Sequence, residues 1–452
     1  MEVGKQMAND EKIKKILEIV KKKDIGFVKF QFTDILGILK SFAVPVKELE
    51  YALDEGMGFD GSSIMGYTPI HESDMIAKAD PGTFQVLPWR PSEKGAARVI
   101  CDVMLPDGTP FEGDPRHVLR KNLDYAKKMG YTLNVGPELE FFYFASINSP
   151  EVMDRGGYFD LLPLDLAEDL RRETIFALEE MNIDVEYSHH EVAPSQHEID
   201  LRYAEAMKMA DAAMTYRLVV KAIAQKNGIY ASFMPKPIFG ENGSGMHTHQ
   251  SLFTKDGKNA FYDAKDPKGW YLSDIAKSYI AGQLKYARDI TGIIAQWVNS
   301  YKRLVPGYEA PVYVSWARRN RSAMIRVPLY KPGKEKATRS EYRAPDPACN
   351  PYLAFSVMLR AGLAGIEEGL EVPEPLEMDI FKLSREERKK MGIAELPGNL
   401  GEAITEIEGS KLVREALGDH VYENWIQLKR KEWDEYRIQV NKWELDKYYP
   451  LL

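Results

Sequence analysis

Cysteine is nearly absent: the 452 residues hold two, Cys101 and Cys349, far apart and in no metal-ligand spacing. That scarcity excludes a disulfide framework or a thiolate zinc site and leaves buried, inert thiols as the reading. Long apolar runs are missing too. No window approaches the roughly 20 apolar residues of a membrane helix, and the opening MEVGKQMANDEKIKK has no apolar stretch of signal-peptide type. A cytoplasmic protein is expected. Nor is there an excess of positive charge: 60 Lys and Arg stand against 68 Asp and Glu, a net −8, with the basic residues dispersed. This argues against a general nucleic-acid surface, so any anion is bound locally. Internal repeats, low-complexity tracts, a P-loop and a kinase signature are all lacking. What remains is a chain 44% hydrophobic and 28% charged, long enough for two domains or three.

Against that background GPELEFFYF (136–144) stands out, because it sets Glu138 and Glu140 two apart inside an apolar, strand-like run. Residues i and i+2 share one face of a strand, and two like charges there repel unless a cation or proton holds them. Taken alone, the stretch reads equally well as an edge strand whose acids meet water. HHEVAPSQHEIDL (189–201) repeats the pattern, with Pro194 and Ser195 as turn centre. A hairpin of even loop length centred there sets Glu191 opposite Glu198, a pairing that is unfavourable by itself. Two such pairs favour a shared divalent cation, and oxygen ligands suit magnesium or manganese.

Along the chain, Ile13, Ile16, Leu17 and Val20 predict an amphipathic helix over 10–23, capped by Asn9 or Asp10. A hairpin follows, 27–34 and 38–45 around the Asp34–Gly37 turn, then a short helix over 46–55 and further strands through 97–105. The break in PDGTPFEGDPR places a boundary near Pro110, giving domains 1–110 and 111–452. A helix from Pro115 leads into the carboxylate strand. Helices are also expected over 164–181 and 204–228, and the chain from about 350 onward is mainly helical.

NGSGMHTHQSLF (242–253) then places His247 and His249 on one strand face after a glycine-rich loop, and SEYRAPDP (340–347) does the same for Glu341 and Arg343. Arg303, Arg318, Arg319, Arg321, Arg326, Arg339 and Arg343 fall within about 40 residues. Individually these are ordinary structural histidines and surface ion pairs. Together, strands carrying acid or imidazole pairs and a cluster of guanidinium groups are divalent cations facing phosphates, the equipment of phosphoryl transfer.

These motifs carry a resemblance. FDGSS (59–63), PELEFF (137–142), HHEVAPSQHEID (189–200), GENGSGMHTHQSLF (240–253), LVPGYEAP (304–311), NRSAMIRVP (320–328) and EYRAPDPACNPYLAF (341–355) resemble glutamine synthetase of class I, alpha type, over nearly the whole chain. The resemblance implies an α+β protein, with a small beta-grasp-like N-terminal domain and a larger catalytic domain whose antiparallel strands form a bifunnel. It also implies a cytoplasmic dodecamer of two hexameric rings with active sites between subunits. The implied activity is ATP-dependent ligation of ammonia to glutamate, with two or more Mg2+ or Mn2+ per subunit.

By motif, Glu140, Glu191 and Glu198 resemble the ligands of the metal nearer glutamate, and Glu138, His247 and Glu341 those of the metal on ATP. Arg303, Asn242 and Gly243 resemble the glutamate contacts, Arg343 the partner of the γ-carboxylate, and Arg321 the group on the transferring phosphoryl. His249, Ser251, Arg326 and Arg339 match the ATP side, with Lys334 or Lys336 as the neighbouring lysine. Asp60, from the next subunit and with Ser63 beside it, resembles the ammonium residue, and Glu309 the flap acid. A γ-glutamyl-polyamine ligase and a catalytically silent relative are the competing readings; Asp60 and Ser63 favour ammonia over a bulky amine.

Regulation departs from the family. Phe381 stands where class I beta enzymes carry an adenylylated tyrosine, and Pro69 where alpha-type bacterial enzymes carry a glutamine-sensing arginine. The resemblance to archaeal members that 2-oxoglutarate activates implies such control instead, with Arg90, Arg171 and Arg172 as the candidate site, against an ordinary helix-surface ion pair of Glu168 with Arg172. A PII-type or other small regulatory protein is a further candidate partner.

Overall fold

The structure, a computed structural model, describes residues 2–67, 73–91 and 93–452. The first helix, Glu2–Lys22, runs further toward the N-terminus than its apolar spacing suggested, so Asn9 and Asp10 lie inside it rather than at its cap. Ile13, Ile16 and Val20 bury its apolar stripe against a five-stranded sheet. That sheet has the order β2-β1-β5-β4-β3, from β1 (Ile25–Thr33), β2 (Leu39–Pro45), β3 (Met57–Asp60), β4 (Asp74–Val86) and β5 (Gly95–Met104). β1 and β2 form the expected hairpin, closed by the Ile38 amide donating to the Asp34 carboxylate at 2.9 Å. β1 and β5 run parallel; the other pairs are antiparallel. The segment 46–55 is a single 3-10 turn, Val46–Glu48, leading into helix Leu49–Glu55. Pro69 lies outside the described residues.

A second, ten-stranded sheet is built around the long central β6 (Tyr131–Ser146), with β7 (Ser149–Val152), β8 (Val185–His190), β9 (Gln196–Leu201), β10 (Ala204–Glu205), β11 (Tyr230–Ser232), β12 (Met246–Thr254), β13 (Trp316–Ala317), β14 (Ile325–Arg326) and β15 (Ser340–Tyr342). Its main path is β13-β14-β15-β12-β6-β9-β8, antiparallel except for β13 with β14. The two-residue period divides β6 cleanly. Leu133, Val135, Leu139, Phe141 and Tyr143 enter the main core, while Glu138 and Glu140 face the other way. Met246 and Leu252 of β12, Ile199 of β9 and Tyr342 of β15 join that core, against helices Pro115–Lys128, Glu168–Glu180, Ala206–Lys226 and Pro351–Glu367. One face of the sheet is therefore fixed by packing, and the opposite face is free to carry charge.

Three expectations shift. The helix expected at 164 begins at Glu168, because Asp165 turns back to accept from the Ala167 amide at 3.0 Å. The one expected at 204 begins at Ala206, since Ala204 and Glu205 extend the sheet beside β6. The β8–β9 hairpin has its register displaced by two residues: His189 lies opposite Glu198, and the Glu191 amide donates to the Gln196 carbonyl at 2.7 Å. Ser195, at φ 61, takes the left-handed turn position that makes this longer crossing.

The N-terminal sheet and the larger unit meet through a charge network centred on a buried arginine. Arg116, on helix Pro115–Lys128, bonds Asp102 at 2.5 Å and Asp80 at 2.8 Å on the N-terminal sheet, and Asp211 at 3.0 and 3.1 Å on helix Ala206–Lys226.

Candidate active site

Adjacent strands bring the paired residues together directly. His247 of β12 lies opposite Glu138 of β6, Glu140 opposite Glu198 of β9, and His249 opposite Glu341 of β15. Two donor groups result, each with its ligand atoms within 4.8 Å of one another: Glu138, His247 and Glu341, and His189, Glu191 and Glu198. The first was anticipated as a set. The second contains His189 in place of Glu140. His189 bridges the acids, 3.5 Å from Glu191 and 3.2 Å from Glu198. It lies two residues before Glu191, so the same period-2 reasoning applied to HHE would have found it. Glu140 sits between the groups, accepting from the Gly245 amide at 3.0 Å and the Gln196 side chain at 2.8 Å.

The two groups differ electrostatically. Burial disfavours ionisation of Glu341, but Arg343 and the imidazoles of His249 and His247 outweigh it and hold its carboxyl at about 2. Arg343 and Arg326 both bond this carboxylate. Burial likewise opposes ionisation of Glu138, and His249, 2.7 Å away, together with His247 overcomes it. At the other end compensation falls short: Arg303, the Gly245 amide and Arg343 all favour the charged form of Glu140 but do not offset its burial and its acidic neighbour. Burial, with the charge of Glu191, pushes Glu140 up to about 8, and burial together with Asp200, Glu140, Glu138 and Glu191 pushes Glu198 well above the usual carboxylate range. Among the described residues no Lys or Arg forms an ion pair with Glu140, Glu191 or Glu198.

All six anticipated metal ligands line one cavity of about 590 Å³, with Asn242, Gly243, Arg303, Glu309, Arg321, Arg326 and Arg343. Arg321 and Arg326 also line a neighbouring cavity of about 680 Å³ that holds Arg318, Arg319, Lys334 and Arg339. His249, Ser251, Arg339 and Lys336 line a third, of about 270 Å³, which shares Glu138 with the first. Acid-lined and guanidinium-lined spaces are thus contiguous. Tyr158, Tyr187 and Gln196 line the first cavity as well; Tyr158 sits on a loop where no spacing signalled it. Phe381 lines this cavity too.

Arg303 is 3% exposed, and its guanidinium donates to the carbonyls of Ala344 at 2.8 Å, Pro345 at 3.2 Å and Arg343 at 3.0 Å. Those bonds orient it before any ligand arrives. Glycine is required beside it: a Cβ on Gly243 would stand 2.4 Å from the Pro235 carbonyl oxygen, and one on Gly245 2.6 Å from an Arg303 nitrogen. Glu309 enters the cavity from a segment in which it adopts φ 59, with Asn242 at 3.5 Å.

Asp60 and Ser63 are exposed on the N-terminal domain and line none of these cavities in their own chain. Arg90 and Arg172 are exposed, the latter paired with Asp169 at 3.0 Å rather than with Glu168. Arg171 must be corrected. It is 5% exposed, and its guanidinium is committed to Asp165 at 2.5 Å and His197 at 2.9 Å, so it faces the interior and cannot grip an effector at a subunit boundary.

Carboxylate and imidazole donors in two groups, opening onto an arginine-lined space on an antiparallel sheet, define a metal-dependent nucleotide-using enzyme. The matches to known proteins are more specific. The family model "Glutamine synthetase, beta-Grasp domain" matches residues 24–106, and "Glutamine synthetase, catalytic domain" matches 112–448. Glutamine synthetase of Methanosarcina mazei is 55% identical over 97% of both chains, and that of Thermotoga maritima 48% identical over 96% of this chain and 99% of the relative. A solved GmaS/ADP complex superposes with TM-score 0.87 at 30% identity, covering 96% of this chain and 99% of that one. Glutamine synthetase of Plasmodium falciparum gives the same TM-score at 26% identity, covering 97% and 98%. The chain belongs to the glutamine synthetase family.

Proposed function

We infer that the protein is an ATP-dependent glutamate–ammonia ligase that forms glutamine, ADP and phosphate through γ-glutamyl phosphate. The observation that carries this reading is the make-up of one cavity: acids that form no ion pair with Lys or Arg among the described residues at Glu140, Glu191 and Glu198, lining the same space as the guanidinium groups of Arg303, Arg321, Arg326 and Arg343. Mg2+ or Mn2+ suits both donor sets, because carboxylate and imidazole ligands match those ions and the mutual repulsion of the acids is what a divalent charge removes. Glu138, His247 and Glu341 would hold one ion, and Glu140, Glu191 and Glu198, with His189, another. Bound there, the ions would offset phosphate charge and polarise its oxygens.

The chain's own groups have separable tasks. Arg303, already oriented by three carbonyls, takes the glutamate α-carboxylate beside Asn242 and Gly243, while Arg343 takes the γ-carboxylate. Arg321, where two cavities join, stabilises charge on the transferring phosphoryl group. Arg326, Arg339, His249 and Ser251 hold the nucleotide, with Lys334 and Lys336 on adjacent walls. The γ-carboxylate attacks the γ-phosphorus and ADP departs. Ammonium passes a proton to the partner subunit's Asp60, and ammonia then displaces phosphate from the acyl carbon. Glu309 and its segment exclude water, which would otherwise hydrolyse the acyl phosphate.

The reading includes assembly as a dodecamer of two hexameric rings in the cytoplasm, which fits an Asp60 remote from its own chain's cavity. No helix among the described residues is long and apolar enough to cross a membrane. It also includes no adenylylation control, since Phe381 offers no hydroxyl, weak glutamine feedback, since Pro69 brings no charge to such a contact, 2-oxoglutarate as an effector at Arg90 and Arg172, and a PII-type or other small regulatory protein as a further partner. The deciding experiment measures ATP-dependent product formation with glutamate plus ammonium, putrescine or ethanolamine. Glutamine from ammonium alone is expected; turnover only with an organic amine, or none at all, would overturn the assignment.

A further inference from the structure

Behind the β8–β9 hairpin, on the side away from the cavity, lies a buried cluster that the reaction as described does not use. Asp154 is 6% exposed, and His190, Ser195 and His197 are fully enclosed. The Asp154 carboxylate accepts from the Ser195 amide at 2.8 Å and lies 3.0 Å from His190 Nε2. The opposite ring nitrogen of His190, Nδ1, is 2.7 Å from the carbonyl oxygen of Glu191 and donates to it. Ser195 returns the contact, its Oγ accepting from the amides of Met153 at 2.6 Å and Asp154 at 3.3 Å. One carboxylate therefore ties together the residue before Glu191 and the left-handed turn residue three positions before Glu198.

Asp154, His190 and His197 are close enough to suggest an ion of their own. The hydrogen bonds argue otherwise. Arg171 has only protons to offer His197 Nδ1 at 2.9 Å, so neutral His197 carries its own proton on Nε2, which leaves that nitrogen no lone pair for a metal. The Arg171 guanidinium beside it also repels a cation, and Arg171 is itself anchored by Asp165. The cluster is built to hold a shape.

We propose that Asp154 and His190 are positioning residues that fix the backbone carrying Glu191 and Glu198, and thereby set the divalent-ion affinity of the His189–Glu191–Glu198 group. The inference rests on the assignment of that group as a metal site. Its geometry follows ordinary metal-site logic, in which partners one step removed from the ligands orient them and typically govern affinity by about 10- to 100-fold. It also explains why the hairpin tolerates a strained turn: the amide of Ser195 at φ 61 is the one that Asp154 accepts.

The test is Mn2+ binding to the assembled protein, followed by calorimetry and by the electron paramagnetic resonance of free Mn2+. Glu198→Gln and Glu138→Gln identify which binding class belongs to which donor group. Asp154→Ala should weaken the class lost in Glu198→Gln by about 10- to 100-fold and leave the class lost in Glu138→Gln within about twofold. Asp154→Asn, which keeps an oxygen for the Ser195 amide, should fall between wild type and Ala, and it carries the test if the Ala variant does not assemble. Synthesis by either variant should recover at raised Mn2+, a rescue that general loosening of the fold would not allow. Equal weakening of both classes, no weakening, or loss of a third Mn2+ per subunit overturns the proposal. If Glu198→Gln binds Mn2+ normally, the metal assignment itself falls instead.

Discussion

Replacing Glu191 by Gln keeps shape and removes one charge, and the two states of the site respond in opposite directions. Its carboxylate lies within 4.8 Å of Glu198. At that separation two unit charges repel by about 3 kcal/mol at an effective dielectric constant of about 20. Protonation of Glu198, whose carboxyl is pushed well above its usual range by burial and its acidic neighbours, relieves part of this, so about 1.5 kcal/mol is a fair allowance. A catalytic domain of roughly 340 residues has an unfolding entropy near 0.7 kcal/mol per degree, which converts that allowance into an apparent Tm about 2 °C higher in chelator. With divalent ion the sign reverses. If the lost ligand weakens binding about 100-fold, the metal-linked stabilisation falls by about 2.7 kcal/mol, which against the gain of about 1.5 kcal/mol leaves the variant about 1.2 kcal/mol, or about 2 °C, below wild type in saturating Mg2+, and synthesis is abolished. Differential scanning fluorimetry with chelator and then with saturating Mg2+ measures both arms on one sample. A variant that melts lower than wild type in chelator, or keeps near-normal synthesis at limiting magnesium, would refute the charge argument.

Other outcomes follow from the same geometry. Asp60→Ala subunits co-assembled with Arg321→Ala subunits should regain part of the activity, because some interfaces combine two intact halves; mixtures that stay inactive while both parents assemble would show that the site is not shared. Lys236 sits 3.7 Å over the Tyr308 ring, next to Glu309, and also donates to the Glu241 carbonyl. A cation–π contact of about 1 kcal/mol would shift flap closure about fivefold, so Lys236→Met should raise ATP hydrolysed per glutamine formed, and an unchanged ratio would dismiss the contact. Millimolar 2-oxoglutarate should stimulate synthesis, and Arg172→Ala or Arg90→Ala should remove the stimulation while sparing basal activity. Arg171→Ala should instead lower stability, and an unmodified enzyme indifferent to 2-oxoglutarate would end the effector reading.

What was legible in the sequence was whatever obeyed a fixed period. Glu138 with Glu140 and His247 with His249 share faces because strands alternate, and the apolar residues next to them, Leu139, Phe141 and Met246, are held in the core. Register was less accessible, since it depends on the turn. Pro194 and Ser195 marked where β8 and β9 reverse but not that Ser195 would turn left-handed, and the resulting two-residue displacement put His189 opposite Glu198. The acids nevertheless meet, because a slip of two preserves the face on which each side chain points, whereas a slip of one would have sent Glu198 into the core. That tolerance explains why the carboxylates could be found from spacing while their imidazole partner was not.

Arg171 and Arg172 show the opposite limit. Adjacent residues on a helix point about 100° apart, so a pair of arginines seldom grips one ligand unless the helix end or a neighbour turns one of them back. Here the stripe that buries Thr174, Ala177 and Leu178 includes Arg171, and the cost of taking its charge out of water is met by Asp165 and His197. Arg172, one position on, stays at the surface with Asp169. Helical periodicity could have separated the two, since Arg171 lies three and seven residues before Thr174 and Leu178. What it could not supply was the distant partner: Asp165 is near in sequence, but His197 reaches Arg171 only because β9 crosses behind the helix. An arginine read as an exposed anion clamp is thus part of the buried frame behind the hairpin that carries Glu191 and Glu198.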